Sequence, residues 1–238
     1  MDAIWKGYSQ RLKDILGLEG SPVAVTYSNV PAQDASGGRH RACGAILAAR
    51  NGEAINLTSE SCSCKGGIHH LGLGPPREGL EAFLVYEEKL WSSLAVARRM
   101  RYGINKEAPP PLGLAKFVVF SPLERAELKP DLVLFLCDPE QACRLIALAS
   151  FDEGLLPKAN LGGPLCWSAI TYPLVTGNLN VSMGDITARR MEGYDPEELI
   201  VSIPINKMPQ VIGSIDHCIA GVAKPSGGFE APHSEDRR

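Results

Sequence analysis

The sequence predicts an α/β (or α+β) protein, a single compact domain in which a mixed β-sheet is flanked by helices. Three observations carry that expectation. Short β-prone runs bounded by turn residues recur at residues 23–27, 54–58, 116–120, 132–136 and 199–203. Stretches with apolar residues at helical spacing lie between several of them. After residue 116 the two kinds of element alternate. With 238 residues, 45% of them hydrophobic, the chain can bury a sizeable core.

Ile4, Trp5, Tyr8, Leu12, Ile15 and Leu16 form one stripe at helical spacing, with Lys6, Gln10, Lys13 and Asp14 off it, so residues 4–16 are an amphipathic helix ended by Gly17 and Gly20. Residues 23–27 are a short strand, and residues 29–38 read as a polar loop. From Ala42 to Ala49 small residues dominate, which suits a closely packed helix with Cys43 in its first turn. There the helix dipole would favour a thiolate. Residues 53–58 alternate like a half-buried strand that delivers the chain to Cys62 and Cys64. A helix is expected over 93–100. Tyr102-Gly103 and Pro109-Pro110-Pro111 then read as a stiff connection, placing an internal boundary of the 1–222 domain near 105–113. The apolar runs 116–120 and 132–136 are buried strands. Asp138-Pro139-Glu140-Gln141 is a helix start, with Asp138 as N-cap, Pro139 at the first position and Gln141 completing a capping box. Cys137 and Cys143, on either side of it, read as core or near-core residues. Residues 199–203 are a further strand, followed by a helix near 207–215 with Val211, Ile212 and Ile215 inward. The 223–238 tail, rich in Gly, Pro and charge, is expected to be mobile.

A net charge of −3 and aromatic content of 6% argue against a nucleic-acid binder. Neither a signal peptide nor an apolar run of bilayer length is present, so the chain reads as cytoplasmic and without membrane contact. In such a compartment seven cysteines do not make a disulfide framework. Reduced thiols, buried or bound to metal, fit better. The sequence lacks G-x-G-x-x-G after a strand, a P-loop and a G-x-S-x-G elbow.

The densest chemistry lies in Ser61-Cys62-Ser63-Cys64-Lys65-Gly66-Gly67-Ile68-His69-His70. Soft thiolates select zinc, copper(I) or iron–sulfur iron, and imidazole is a common companion ligand. Gly66 and Gly67 let backbone approach a bound group closely. Cys166, just after a Gly-Gly-Pro turn, is placed to reach a shared site. Asp185 can be a hard ligand or an arginine partner, and Arg189 and Arg190 can hold an anion. His217-Cys218 reads as structural.

The chain resembles the domain-of-unknown-function 169 family of bacteria and archaea from about residue 16 to about 220. The resemblance is carried by Pro22-Val23-Ala24-Val25, Arg41-Ala42-Cys43-Gly44, the Cys62 loop with Gly66-Gly67, the Asp138-Pro139-Glu140-Gln141 helix start, Cys166 with Tyr172-Pro173, and Gly184. The family supplies little chemistry. The resemblance implies that Cys43, Cys62 and Cys166 match recurrent family cysteines. Some relatives carry a cysteine where this chain has Asp185, so the fourth ligand could be Cys64, a histidine of the His69/His70 pair, Asp185 or an external molecule.

Three functions are weighed. The first is an iron–sulfur protein, with a 4Fe–4S cluster held by Cys43, Cys62 and Cys166 and a redox or Lewis-acid role. The second is a non-metal module that binds an anionic small molecule through glycine-rich turns and Arg189/Arg190. The third is a zinc site from Cys62, Cys64 and His69 or His70. The partners implied are a redox protein or a small-molecule substrate, and a homodimer is compatible with the sequence.

Overall fold

The molecule is built on one antiparallel sheet with a layer of helices on each face. The structure, a computed structural model, describes residues 2–76, 78–154, 157 and 159–222, so the tail expected to be mobile lies outside the described residues. In chain order the elements are α1 (Asp2–Leu16), β1 (Val23–Ser28), α2 (Ala42–Arg50), β2 (Ile55–Leu57), α3 (Lys65–His70), α4 (Leu80–Ala82, continued as a π-helical turn to Glu87), α5 (Leu94–Glu107), β3 (Phe117–Pro122), β4 (Leu132–Cys137), α6 (Pro139–Ser150), α7 (Tyr172–Thr176), β5 (Asn180–Ser182), α8 (Ile186–Glu192), β6 (Leu199–Pro204) and α9 (Met208–Ser214). The α/β class is as expected.

The sheet order is β2-β3-β1-β4-β6-β5. Every ladder is antiparallel. The expected mixture of directions is confined to two isolated parallel bridges, Ser36 with Ile55 and His40 with Cys62. The reason is the position of β1. It pairs through Val25 with Phe120 of β3 on one side and Leu132 of β4 on the other, so β3 and β4, which run parallel to each other, never meet.

Alternation along the strands separates two cores. Val23, Val25, Leu132, Leu134 and Ile200 face α2 and the turn around Ala169. Ala24, Val133, Phe135, Val201 and Ile203 face α1, α6 and α9. Trp5, Leu12 and Leu16 of α1 are buried in that second core. Ile4, placed by spacing on the same stripe, is 53% exposed. In α2, Ala42, Ala45 and Ala49 are fully or nearly fully buried, which lets the helix pack closely.

The capping box forms as read. The Asp138 carboxylate accepts the Gln141 amide at 2.8 Å, and the Gln141 side chain accepts the Asp138 N–H at 2.9 Å. Cys137 is buried in the second core, but Cys143 on α6 is exposed, correcting its near-core reading. Tyr102-Gly103 also departs from the expected connection, because α5 continues to Glu107. A Cβ at Gly103 would meet nothing within 4 Å, so the residue costs the helix only its propensity. Ala108, just beyond, accepts the Trp167 indole N–H at 2.9 Å. β5 has no counterpart among the expected strands.

Candidate functional site

The sheet sorts the cysteines. Cys43 and Cys62 lie in the first core with Cys64 and Cys166 packed against it, whereas Cys137 and Cys218 lie in the second. Each member of the first group is placed by a local device. Cys43 sits in the first turn of α2, whose Arg41 N-cap is extended. Tyr194 donates its hydroxyl to the Cys43 carbonyl at 2.8 Å and so ties this turn to the chain beyond α8. β2 leads into Cys62, and Cys64 caps α3 through its sulfur, which accepts the Gly67 amide at 3.4 Å. Cys166 lies in the first turn of a helical segment that begins at Leu165, after Pro164. Leu165 beside it is held by Asp185, whose carboxylate accepts the Leu165 N–H at 2.8 Å.

Cys43, Cys64 and Cys166 line one cavity of about 330 Å3 together with Gly66, Gly67, His70 and Asp185. Cys62 does not line it but packs against Gly67, which does. A Cβ on Gly67 would stand 3.3 Å from the Cys62 sulfur and 3.5 Å from the Ala42 Cβ. Glycine thus leaves the Cys62 sulfur a few tenths of an ångström of room that a Cβ would take.

The Cys62 thiol donates to the Cys64 carbonyl at 3.3 Å and the Cys43 thiol to Glu192 at 3.7 Å, and backbone amides stand nearby. The N–H groups of Ala42, Cys64 and Ile68 favour the charged form of Cys62, and that of Gly44 does so for Cys43. Burial outweighs these donors. It pushes Cys43 up to about 12, with Glu192 adding to the effect, and Cys62 up to about 11. Cys166 is raised well above the ordinary thiol by burial and by Cys64, Asp185, Cys43 and Cys62 around it. The dipole-favoured thiolate expected at Cys43 is thus overridden by desolvation. A bound cation would take the proton's place at each sulfur.

The other expected residues divide. Asp185 is the N-cap of α8; its two oxygens accept the amides of Ala188 (2.7 Å) and Leu165 (2.8 Å). Arg189 donates to the carbonyls of Met183, Glu198, Asp195 and Pro196 and so is committed to backbone. Neither Arg189 nor the exposed Arg190 lines the cavity. His69 and His70 are buried with ring centroids 5.1 Å apart, and only His70 reaches the cavity. Burial, His69 and Arg101 lower His70 to about 3, so it is neutral.

Sequence reasoning missed the cavity's other wall. Leu80, Phe83, Leu84, Glu88, Leu90 and Trp91 come from the α4 segment, and Met100 from α5. It also missed a site role for Arg41, two residues before Cys43. Among the described residues no group of three His, Cys, Asp or Glu side chains stands close enough to hold a single metal ion.

Fold and site together define an α/β protein with a cysteine-floored cavity on one face of an antiparallel sheet. Residues 11–214 match the family described as "Uncharacterised ArCR", domain of unknown function 169, and the chain belongs to it. It is also similar to an uncharacterized protein of Methanocaldococcus jannaschii, 25% identical over 182 residues that cover 74% of this chain and 76% of that one. No solved structure matches it. Among the described residues no helix is long and apolar enough to cross a membrane.

Proposed function

We propose that the protein holds an iron–sulfur cluster, 4Fe–4S in type, through Cys43, Cys62, Cys64 and Cys166. The observation that supports this reading is the gathering of four of the seven cysteines, from three distant parts of the chain, in one core, three of them lining one cavity and Cys64 accepting the Gly67 amide at its sulfur. Neutral thiols need few donors, whereas cluster thiolates use such hydrogen bonds to set their potential. With the Asp185 oxygens on backbone amides, Cys64 is the better fourth ligand.

The test is anaerobic reconstitution with iron and sulfide. The wild-type chain should bind both, with broad visible absorption. Cys62→Ser should lose colour and iron together, because a hard hydroxyl replaces a soft thiolate. Cys143→Ser, at an exposed position, should keep both. Reconstituted wild-type protein that binds no iron would overturn the reading.

A further inference from the structure

The wall opposite the cysteines points to a second occupant. We propose that the cavity binds a small organic acid, its carboxylate received by Arg41 and Trp91 and its apolar body held against Leu80, Phe83, Leu84 and Met100. This inference does not rest on the cluster, because none of these groups is a thiol.

The first support is shape. About 330 Å3 is at the small end of the roughly 300–1,000 Å3 typical of ligand pockets, and the lining is mostly apolar with a few polar groups at its edge. The second is unsatisfied hydrogen bonding. His70 is only 3% exposed, lines the cavity, and its Nδ1 is buried without a hydrogen-bond partner. The indole N–H of Trp91, on another wall, is likewise buried without one. Buried polar groups are normally hydrogen-bonded, and two left unmade around one cavity mark where a ligand's polar atoms belong.

The third support is which donors and acceptors are left over. Arg41 is the one Lys or Arg among the described lining residues. Its ion pair with Glu192 is 3.7 Å long, beyond hydrogen-bond reach, so the guanidinium fork keeps donors to spare. The acidic lining groups are already used. Asp185 accepts two backbone amides. Burial and Asp185 push the Glu88 carboxyl up, against a hydrogen bond with Thr187 and the charge of Arg41, so Glu88 has partners of its own. Spare donors call for a ligand that brings acceptors, and a guanidinium fork selects a carboxylate among them. His70, neutral, can take or give one further hydrogen bond to the same molecule.

The test uses the full chain, reduced and free of metal, and then the reconstituted protein. Phenylacetate and hexanoate are titrated against their matched amides and amines while the indole N–H resonances are followed. The three tryptophans give three signals, and Trp91→Phe identifies the one to watch. The acids should move the Trp91 signal saturably, with the amides and amines about tenfold weaker or worse. Arg41→Gln should weaken the acids by about tenfold or more. The Arg41 side chain makes no cap hydrogen bond, so α2 should survive that change. Leu84→Trp, which fills the cavity, should abolish the shift. A Trp91 signal unmoved by either acid would overturn the proposal, as would acid binding that persists in Leu84→Trp or is unchanged in Arg41→Gln. Because the first titration contains no iron, its outcome is independent of whether a cluster assembles.

Discussion

Replacing Arg189 by alanine tests whether this arginine is a structural clamp rather than a receptor for an anion. Its guanidinium donates to Met183 and Glu198 at 2.9 and 3.0 Å, to Pro196 at 2.8 Å, and to Asp195. These four carbonyls lie on both sides of α8, so one side chain closes the loop from Met183 to Glu198. A hydrogen bond to a charged donor contributes about 1.5–3 kcal/mol when fully buried. Arg189 is only half-buried and water can rehydrate the freed carbonyls, so about 0.5–1 kcal/mol per bond is the better figure. Four such bonds give a destabilisation of roughly 2–4 kcal/mol for Arg189→Ala. Lysine offers one charged centre instead of a fork and should recover less than half of it. Arg190→Ala, at an exposed position, should stay within about 0.5 kcal/mol of wild type. Urea unfolding followed by far-UV circular dichroism measures all three. A loss under about 0.5 kcal/mol for Arg189→Ala, or equal losses at 189 and 190, would refute the clamp.

Two further predictions use the same assay. Gly72 has φ +75°, and a Cβ there would lie 2.2 Å from the Pro111 carbonyl oxygen, so Gly72→Ala combines backbone strain with a clash and should cost about 3 kcal/mol or more; a fully stable variant would contradict the packing of the Pro109–Pro111 segment on α3's end. His70, held at about 3 by burial against an ordinary 6.5, binds its proton more readily in the unfolded chain. Stability should therefore be full above about pH 6.5 and fall by up to about 1.4 kcal/mol per unit as pH drops toward 3. Burial lowers His69 too, with the same sign, and His70→Gln should flatten the dependence between pH 6 and 4.

Most of the sheet was legible because its strands advertise burial. Residues 132–136 are apolar at every position, since both faces of β4 are covered, and 199–203 reads the same way apart from Ser202. β5 was not legible for the opposite reason. Its Asn180 and Ser182 are completely buried polar residues, and they are stable there through partners that no periodicity encodes. Asn180 donates to the Ser168 carbonyl at 2.7 Å and accepts the Asn160 amide, and the Ser182 hydroxyl lies 2.6 Å from that of Ser168. Those contacts are long-range, so the signal for this strand exists only in the folded chain. The direction of the strands was hidden likewise, because which strand wedges between β3 and β4 is a tertiary choice.

The site divides along a related line. Thiols are rare and chemically loud, and Cys43, Cys62, Cys64 and Cys166 drew attention by type alone. What type could not tell was which side of the sheet each cysteine would occupy, and this is what sets these four apart from Cys137 and Cys218. Asp185 and Arg189 were read by type as a ligand and an anion holder; in the fold the Asp185 oxygens accept the Ala188 and Leu165 amides and the Arg189 guanidinium donates to four backbone carbonyls. Arg41, with no cap bond and a long ion pair, keeps its charge available at the cavity. The groups free to meet a ligand are those the fold leaves unpaired, and that is settled by packing rather than by residue type. This is why Arg41, His70 and Trp91 line the cavity with polar atoms to spare, while Cys43, Cys64 and Cys166 line it as thiols.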